Sequence, residues 1–143
     1  MKTLDLTQKV RNLMTQHIVA ATRQYQARDL AVLLHSGTFS GVPIVDPGNI
    51  LVGIVTEFDI LKALLNGQSL EKLTAADLMS PHLISVQEHA TLEEALALMV
   101  QHQVLRIPIT RDNKLIGIIS RSDILHHLID SPLLNIYGPT TGP

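Results

Sequence analysis

The sequence predicts an α+β fold of two tandem β-α-β-β-α repeats, packed as one module with pseudo-twofold symmetry. Three observations predict it. The chain can be laid over itself, its apolar residues switch between strand and helix periods in the same order in both halves, and proline and glycine punctuate both halves at matching places.

At a constant offset, residues 10–48 overlie 75–113. Leu13-Met14 meets Leu78-Met79, His17 meets His82, Leu33 meets Leu98 and Pro43-Ile44 meets Pro108-Ile109. One residue drops out in a turn, after which Gly53-Ile54-Val55-Thr56-Glu57-Phe58-Asp59-Ile60-Leu61 overlies Gly117-Ile118-Ile119-Ser120-Arg121-Ser122-Asp123-Ile124-Leu125.

Each repeat opens with a Leu-Met helical turn, the second stopped by Ser80-Pro81, and a short apolar run follows at 18–21 or 83–86, predicted as the first strand. Thr91 followed by Glu94 is a capping-box pattern, and Leu92, Ala95, Leu96 and Met99 recur at helical spacing; residues 27–34 repeat this helix. Residues 42–45 and 107–110 carry a proline near the start of a strand, where a missing N–H is tolerated. Asp46-Pro47-Gly48-Asn49 and the shorter Arg111-Asp112-Asn113 are turns that return the chain into strands 51–55 and 115–119. The last helices begin at Thr56 and Ser120, and the first stops near Asn66-Gly67.

One such repeat buries too little surface to be comfortable alone, so the two are expected to pack together. The repeats are placed at 10–67 and 75–130, with a connector at 68–74 and an irregular tail at 131–143. The last helices are too apolar for a single buried stripe: Ile60, Leu61, Ala63, Leu64 and Leu65 in one, Ile124, Leu125, Leu128 and Ile129 in the other. A homodimer through these faces is expected.

Composition narrows the function classes. Eleven Lys and Arg against 13 Asp and Glu leave a formal charge of −2, so nothing attracts a phosphate backbone and nucleic acid is an unlikely partner. The absence of cysteine removes disulfides, thiolate nucleophiles and Cys-based zinc sites, in keeping with a cytoplasmic protein. The apolar runs fall far short of the roughly 20 residues that cross a bilayer, so no membrane span is expected. With 45% hydrophobic residues and a mean hydropathy of +0.23, some apolar surface is expected to meet another subunit.

The chemistry lies in a motif present twice, Gly-apolar-apolar-Thr/Ser-x-x-Asp, at the last strand-to-helix junction. Gly53 and Gly117 permit a close approach. Thr56 and Ser120 stand at helix starts, where free N–H groups favour an anion. Asp59 and Asp123 lie one turn inside, where a carboxylate can accept two hydrogen bonds from vicinal ribose hydroxyls. The same pattern is also an ordinary N-cap with an acidic third residue.

Doubled and paired with matching Pro-containing hairpins, the motif resembles the CBS domain, named after cystathionine beta-synthase, across residues 10–129. The resemblance implies a Bateman module with two clefts for adenosine derivatives, AMP, ADP or ATP, with S-adenosylmethionine as a further candidate, that regulates a partner protein and is not an enzyme. It implies that Asp59 and Asp123 hold ribose and that Thr56 and Ser120 approach ribose or phosphate. Adenine would lie against the first strand and the pre-proline strand of the opposite repeat, which puts Val19, Ser40 and Gly41 with Asp123, and Ile84, Val104 and Leu105 with Asp59.

The repeats differ where phosphate recognition would be decided. Arg106, two residues before Pro108, is matched by Gly41, and Arg121 in one motif is replaced by Glu57 in the other. On the motif charges the Asp123 cleft is expected to hold phosphate-bearing ligands more tightly, with Arg106 able to reach either cleft. His17 and His82 recur at strand starts and are assigned to the clefts or to local capping. Adjacent His126 and His127 point about 100° apart on a helix and form no clean chelate, so no metal site is assigned. Without a P-loop, or a nucleophile paired with a base, no catalytic residue and no catalytic cofactor are assigned. The competing reading is a ligand-free dimerisation or protein-interaction module, which the same leucine-rich helices would serve.

Overall fold

A computed structural model describes residues 3–36, 41–80 and 82–129. The expected tail at 131–143 lies outside the described residues. The first half contains helix α1 (Ala27–His35), strands β1 (Gly41–Asp46) and β2 (Ile50–Thr56), and helix α2 (Glu57–Leu65). The second follows with α3 (Ala75–Leu78), β3 (Val86–Gln87), α4 (Leu92–His102), β4 (Arg106–Arg111), β5 (Lys114–Ser120) and α5 (Arg121–Leu128). The α+β repeat architecture is as the sequence predicts.

Each hairpin is an antiparallel pair, β1 with β2 and β4 with β5, and each has a register shift at the matching place, between Ile44 and Val45 and between Ile109 and Thr110. The turns take positive φ where the sequence offers Gly, Asn or Asp: Gly48 at 85° and Asn49 at 66°, then Asp112 at 50° and Asn113 at 66°. Where the hairpins meet, Ile50 pairs with Lys114, and the N–H groups of Leu51 and Leu115 donate to the carbonyls of Asn113 and Asn49, both at 3.0 Å. The strand order is therefore β1-β2-β5-β4-β3.

The first strands are far shorter than the apolar runs suggested. In the first half only Ala21 bridges β1, donating to the Pro43 carbonyl at 2.9 Å and accepting from the Val45 N–H at 2.9 Å. In the second half β3 is two residues long, with Val86 opposite Ile109 in parallel. The next rung, toward Val19 or Ile84, would need an N–H from Pro43 or Pro108, which have none. The prolines thus release the segments just before Ala21 and Val86 from the sheet.

The halves are tied by an exchange of their opening turns. Val10 and Leu13 open the first repeat but pack into the second core, with Leu92, Ile107, Ile109 and Ile119. Ala75 and Leu78 open the second repeat but pack into the first core, with Leu30, Val42, Ile44 and Val55. Backbone bonds repeat the exchange: the Val10 N–H donates to Ala90 O at 2.9 Å, and the Ala75 N–H to Tyr25 O at 2.8 Å.

The exchanged turns carry methionines onto the motif glycines. A Cβ on Gly53 would stand 2.6 Å from the Met79 sulfur and 3.0 Å from Met79 Cβ; one on Gly117 would stand 2.5 Å from the Met14 sulfur and 3.2 Å from the Thr15 carbonyl oxygen. The close approach that the motif glycines permit is made by methionine side chains, joined at Gly117 by the Thr15 backbone. Gly53→Ala is expected to destabilise by about 1–3 kcal/mol through overpacking. Adding Met79→Ala should recover part of that loss in urea unfolding, and purely additive losses would contradict the contact.

Candidate ligand cleft

Both repeated motifs form closed capping boxes. At the β2–α2 junction Asp59 Oδ2 accepts the Thr56 N–H at 2.8 Å and the Thr56 hydroxyl at 3.1 Å. At the β5–α5 junction Asp123 Oδ2 accepts the Ser120 N–H at 2.8 Å and the Ser120 hydroxyl at 3.0 Å. The capping and ligand readings are compatible, because a capping box uses one oxygen of each carboxylate and leaves the other to the surroundings.

The surroundings of those second oxygens differ. Asp59 Oδ1 has the Lys62 ammonium at 3.9 Å, on an exposed side chain that also lies 5.3 Å from the Phe58 ring centre. Asp123 Oδ1 accepts the Thr15 hydroxyl at 3.0 Å. The repeat counterpart of Thr15 is Ser80, whose hydroxyl accepts the His82 N–H at 3.1 Å.

A cavity of about 180 Å³ opens at Asp59. Ile54, Thr56 and Asp59 line it from the first half, and Ser80, His82, Ile84, Val104, Arg106 and Pro108 from the second. Pockets that enclose drug-sized ligands run to about 300–1,000 Å³, so this one fits part of a nucleotide. A more open hollow of about 770 Å³ shares His82 and Ile84 with it and extends along Leu98 and His102.

Of the residues singled out from sequence, Thr56, Asp59, His82, Ile84, Val104 and Arg106 meet around this cavity. Leu105 does not line it: its side chain is exposed, and its carbonyl accepts the Arg121 N–H at 2.8 Å. Ser120 and Asp123 stand together at the other junction, with Arg121 exposed beside them. His17 and Val19 are exposed on the released segment before Ala21, and Ser40 lies outside the described residues. Gly41 faces the one cation in the cavity lining, since a Cβ there would stand 2.9 Å from Arg106 Cδ.

Arg106 is the electrostatic centre of the cleft. Burial holds its guanidinium below the usual arginine value, Glu57 is near enough to favour its charge, and Arg121 opposes it. A cation desolvated in this way attracts an anion more strongly than one in water. The sequence left open which cleft Arg106 serves; its side chain lines the Asp59 cavity. Ile54, Ser80 and Pro108 were not singled out, nor was Thr15. The available signal for Thr15 and Ser80 was the repeat itself, which puts a hydroxyl after Leu-Met in both halves.

The model of the family described as CBS domain matches residues 10–66 and 75–130. The chain belongs to the CBS domain family. A Bacillus subtilis (strain 168) relative, uncharacterized protein YlbB, is 35% identical over 120 residues, covering 81% of this chain and 79% of that protein. Among solved structures, Hypoxic Response Protein I, a protein of Mycobacterium tuberculosis, superposes with a TM-score of 0.76 at 26% identity, covering 84% of this chain and 98% of that one; it holds two coordinated zinc ions. CBSX2, solved in complex with AMP, superposes with a TM-score of 0.72 at 26% identity, over 84% of this chain and 95% of that one. Among the described residues of this CBS pair, no three His, Asp or Glu side chains come together as a metal site, and no helix is long and apolar enough to cross a membrane.

Two ion pairs fasten the ends of the released segments to the sheet. Arg23 donates to Asp46 at 2.7 and 3.1 Å, and at the matching place Arg111 makes a two-pronged pair with Glu88. The charges are reversed between the repeats, which is why aligning residue types missed the pair. Bonding to arginine holds both carboxyls, Asp46 and Glu88, below their ordinary values. A depressed native pKa stabilises the fold above the unfolded-state value, and that stabilisation is lost as pH falls through the native value. Glu88→Gln should therefore lower the melting temperature at pH 7, and the gap to wild type should close below about pH 4.5. A gap that persists into acid would assign Glu88 a role other than its charge.

Proposed function

We propose that this CBS pair is an adenine-nucleotide sensor that regulates a partner protein in trans, and that it is not an enzyme. The observation that carries the reading is the Asp59 cleft, where a ribose-competent carboxylate, a helix start, an apolar wall and a desolvated arginine surround one cavity. Asp59 would accept the ribose diol, Ile84 and Val104 would flank adenine, and Thr56 with Arg106 would face phosphate. The AMP held by CBSX2 supports the ligand class. By the repeat, Asp123, Ser120 and Arg121 would form a second cleft with Val19, Gly41 and His17. AMP, ADP and ATP are the leading ligands, with S-adenosylmethionine next.

Self-association is the second part of the reading. Phe58, Leu61, Leu64 and Leu65 on α2 and Leu125 on α5 are exposed, Leu65 at 87%, and a second copy of the chain would bury them. We infer a regulatory role in the cytoplasm, exerted on a separate protein, in keeping with the two CBS repeats.

Titration calorimetry with AMP, ADP, ATP and S-adenosylmethionine tests the ligand reading. Asp59→Asn is expected to weaken nucleotide binding at least about tenfold, and Arg106→Met to weaken AMP by a similar factor while sparing adenosine. If none of the four ligands binds at millimolar concentration, the interaction-module reading replaces this one. Light scattering should report twice 15.7 kDa, and Leu61→Asp with Leu65→Asp should return the monomer; a monomeric wild type at micromolar concentration would remove the dimer.

A further inference from the structure

The two motifs match, yet their carboxylates are in different states. Among the described residues, Asp59 Oδ1 has as its partner a solvent-exposed lysine ammonium, Lys62, at 3.9 Å. Asp123 Oδ1 holds the Thr15 hydroxyl at 3.0 Å while Oδ2 is engaged in the capping box. A ribose diol brings two hydroxyls, and at Asp123 a protein donor already takes one of the outward oxygen's two acceptor positions, so the diol can no longer place both hydroxyls on it.

Thr15 is held in place to do this. Its N–H donates to Ile118 O at 2.8 Å and its carbonyl accepts the Ile118 N–H at 3.0 Å, so the residue is pinned to β5 beside the motif. Ser80, its counterpart, turns its hydroxyl to the His82 backbone and leaves Asp59 to the cavity. The second asymmetry runs the same way: Arg106 lines the Asp59 cavity, and its counterpart Gly41 brings no side chain to the other cleft.

We propose that Thr15 is a specificity-determining latch: its hydroxyl caps the Asp123 carboxylate against ribose, so that the module takes one adenine nucleotide, in the Asp59 cleft. This rests on the nucleotide-sensing reading above, and it reverses the order of affinities expected from the Arg121 and Glu57 charges. Replacing Thr15 with alanine keeps both backbone bonds to Ile118 and removes the hydroxyl without leaving a methyl in its place. The Asp123 carboxylate is then open to a second nucleotide.

The test is AMP titration calorimetry on the full chain, with thermal unfolding of every variant as a fold control. Wild type is expected to bind one AMP per chain, Asp59→Asn to bind at least about tenfold more weakly, and the Asp59→Asn/Thr15→Ala double variant to regain one event, at the other cleft. Adding Asp123→Asn to the double variant should abolish the regained event. Two equal events in wild type, a double variant no better than Asp59→Asn, or a regained event that survives Asp123→Asn would overturn the latch while leaving the sensor reading intact. If neither wild type nor any variant binds AMP, ADP, ATP or S-adenosylmethionine, the sensor reading fails and the latch fails with it.

Discussion

The exchange of opening turns is the contact on which the rest of the molecule depends. Val10 and Leu13 complete the second core, Ala75 and Leu78 complete the first, and neither half closes its hydrophobic centre without the chain that introduces the other. Burial of these side chains is non-directional, but the backbone bonds at Ala90 and Tyr25 fix where each turn sits. The two halves are therefore held at one relative position. The Asp59 cavity, lined from both halves, exists only at that position.

Three consequences follow from that placement. Each exchanged turn sets a methionine on a motif glycine, so packing within the protein by itself calls for a glycine there. Each also delivers the next residue, Thr15 or Ser80, to the edge of a cleft. The segments that follow run free of the sheet because Pro43 and Pro108 offer no N–H, and they rejoin it only at Ala21 and Val86. In the second half the released segment leaves Ile84 in one cavity lining with the Asp59 carboxylate.

Pseudo-symmetry gives the module two versions of everything, and the differences between them carry the functional information. The ion pairs at Arg23–Asp46 and Glu88–Arg111 reverse their charges yet keep their geometry, so they are interchangeable as fasteners. Arg106 against Gly41 and Thr15 against Ser80 are not interchangeable. One pair places a cation in the Asp59 cavity and the other places a donor on the Asp123 carboxylate, so two copies of one motif acquire different electrostatics.

The sequence by itself determined the repeat, the helices, the hairpins and their turns, because these depend on residues near in the chain: apolar spacing, the Thr91–Glu94 box, and Gly or Asn at positive φ. It also marked Thr56, Asp59, Ser120 and Asp123, since capping and ligand readings point to the same residues. Only the tertiary structure decided which half owns Val10 and Ala75, that the apolar first strands shrink to a bridge and a two-residue strand, and that Arg106 belongs to the Asp59 cleft while Leu105 faces away from it. Those choices turn on what stands across a gap from each residue, and a local pattern carries no record of its partner. The hydroxyl of Thr15 is the sharpest case, because 108 residues separate it from the carboxylate it caps.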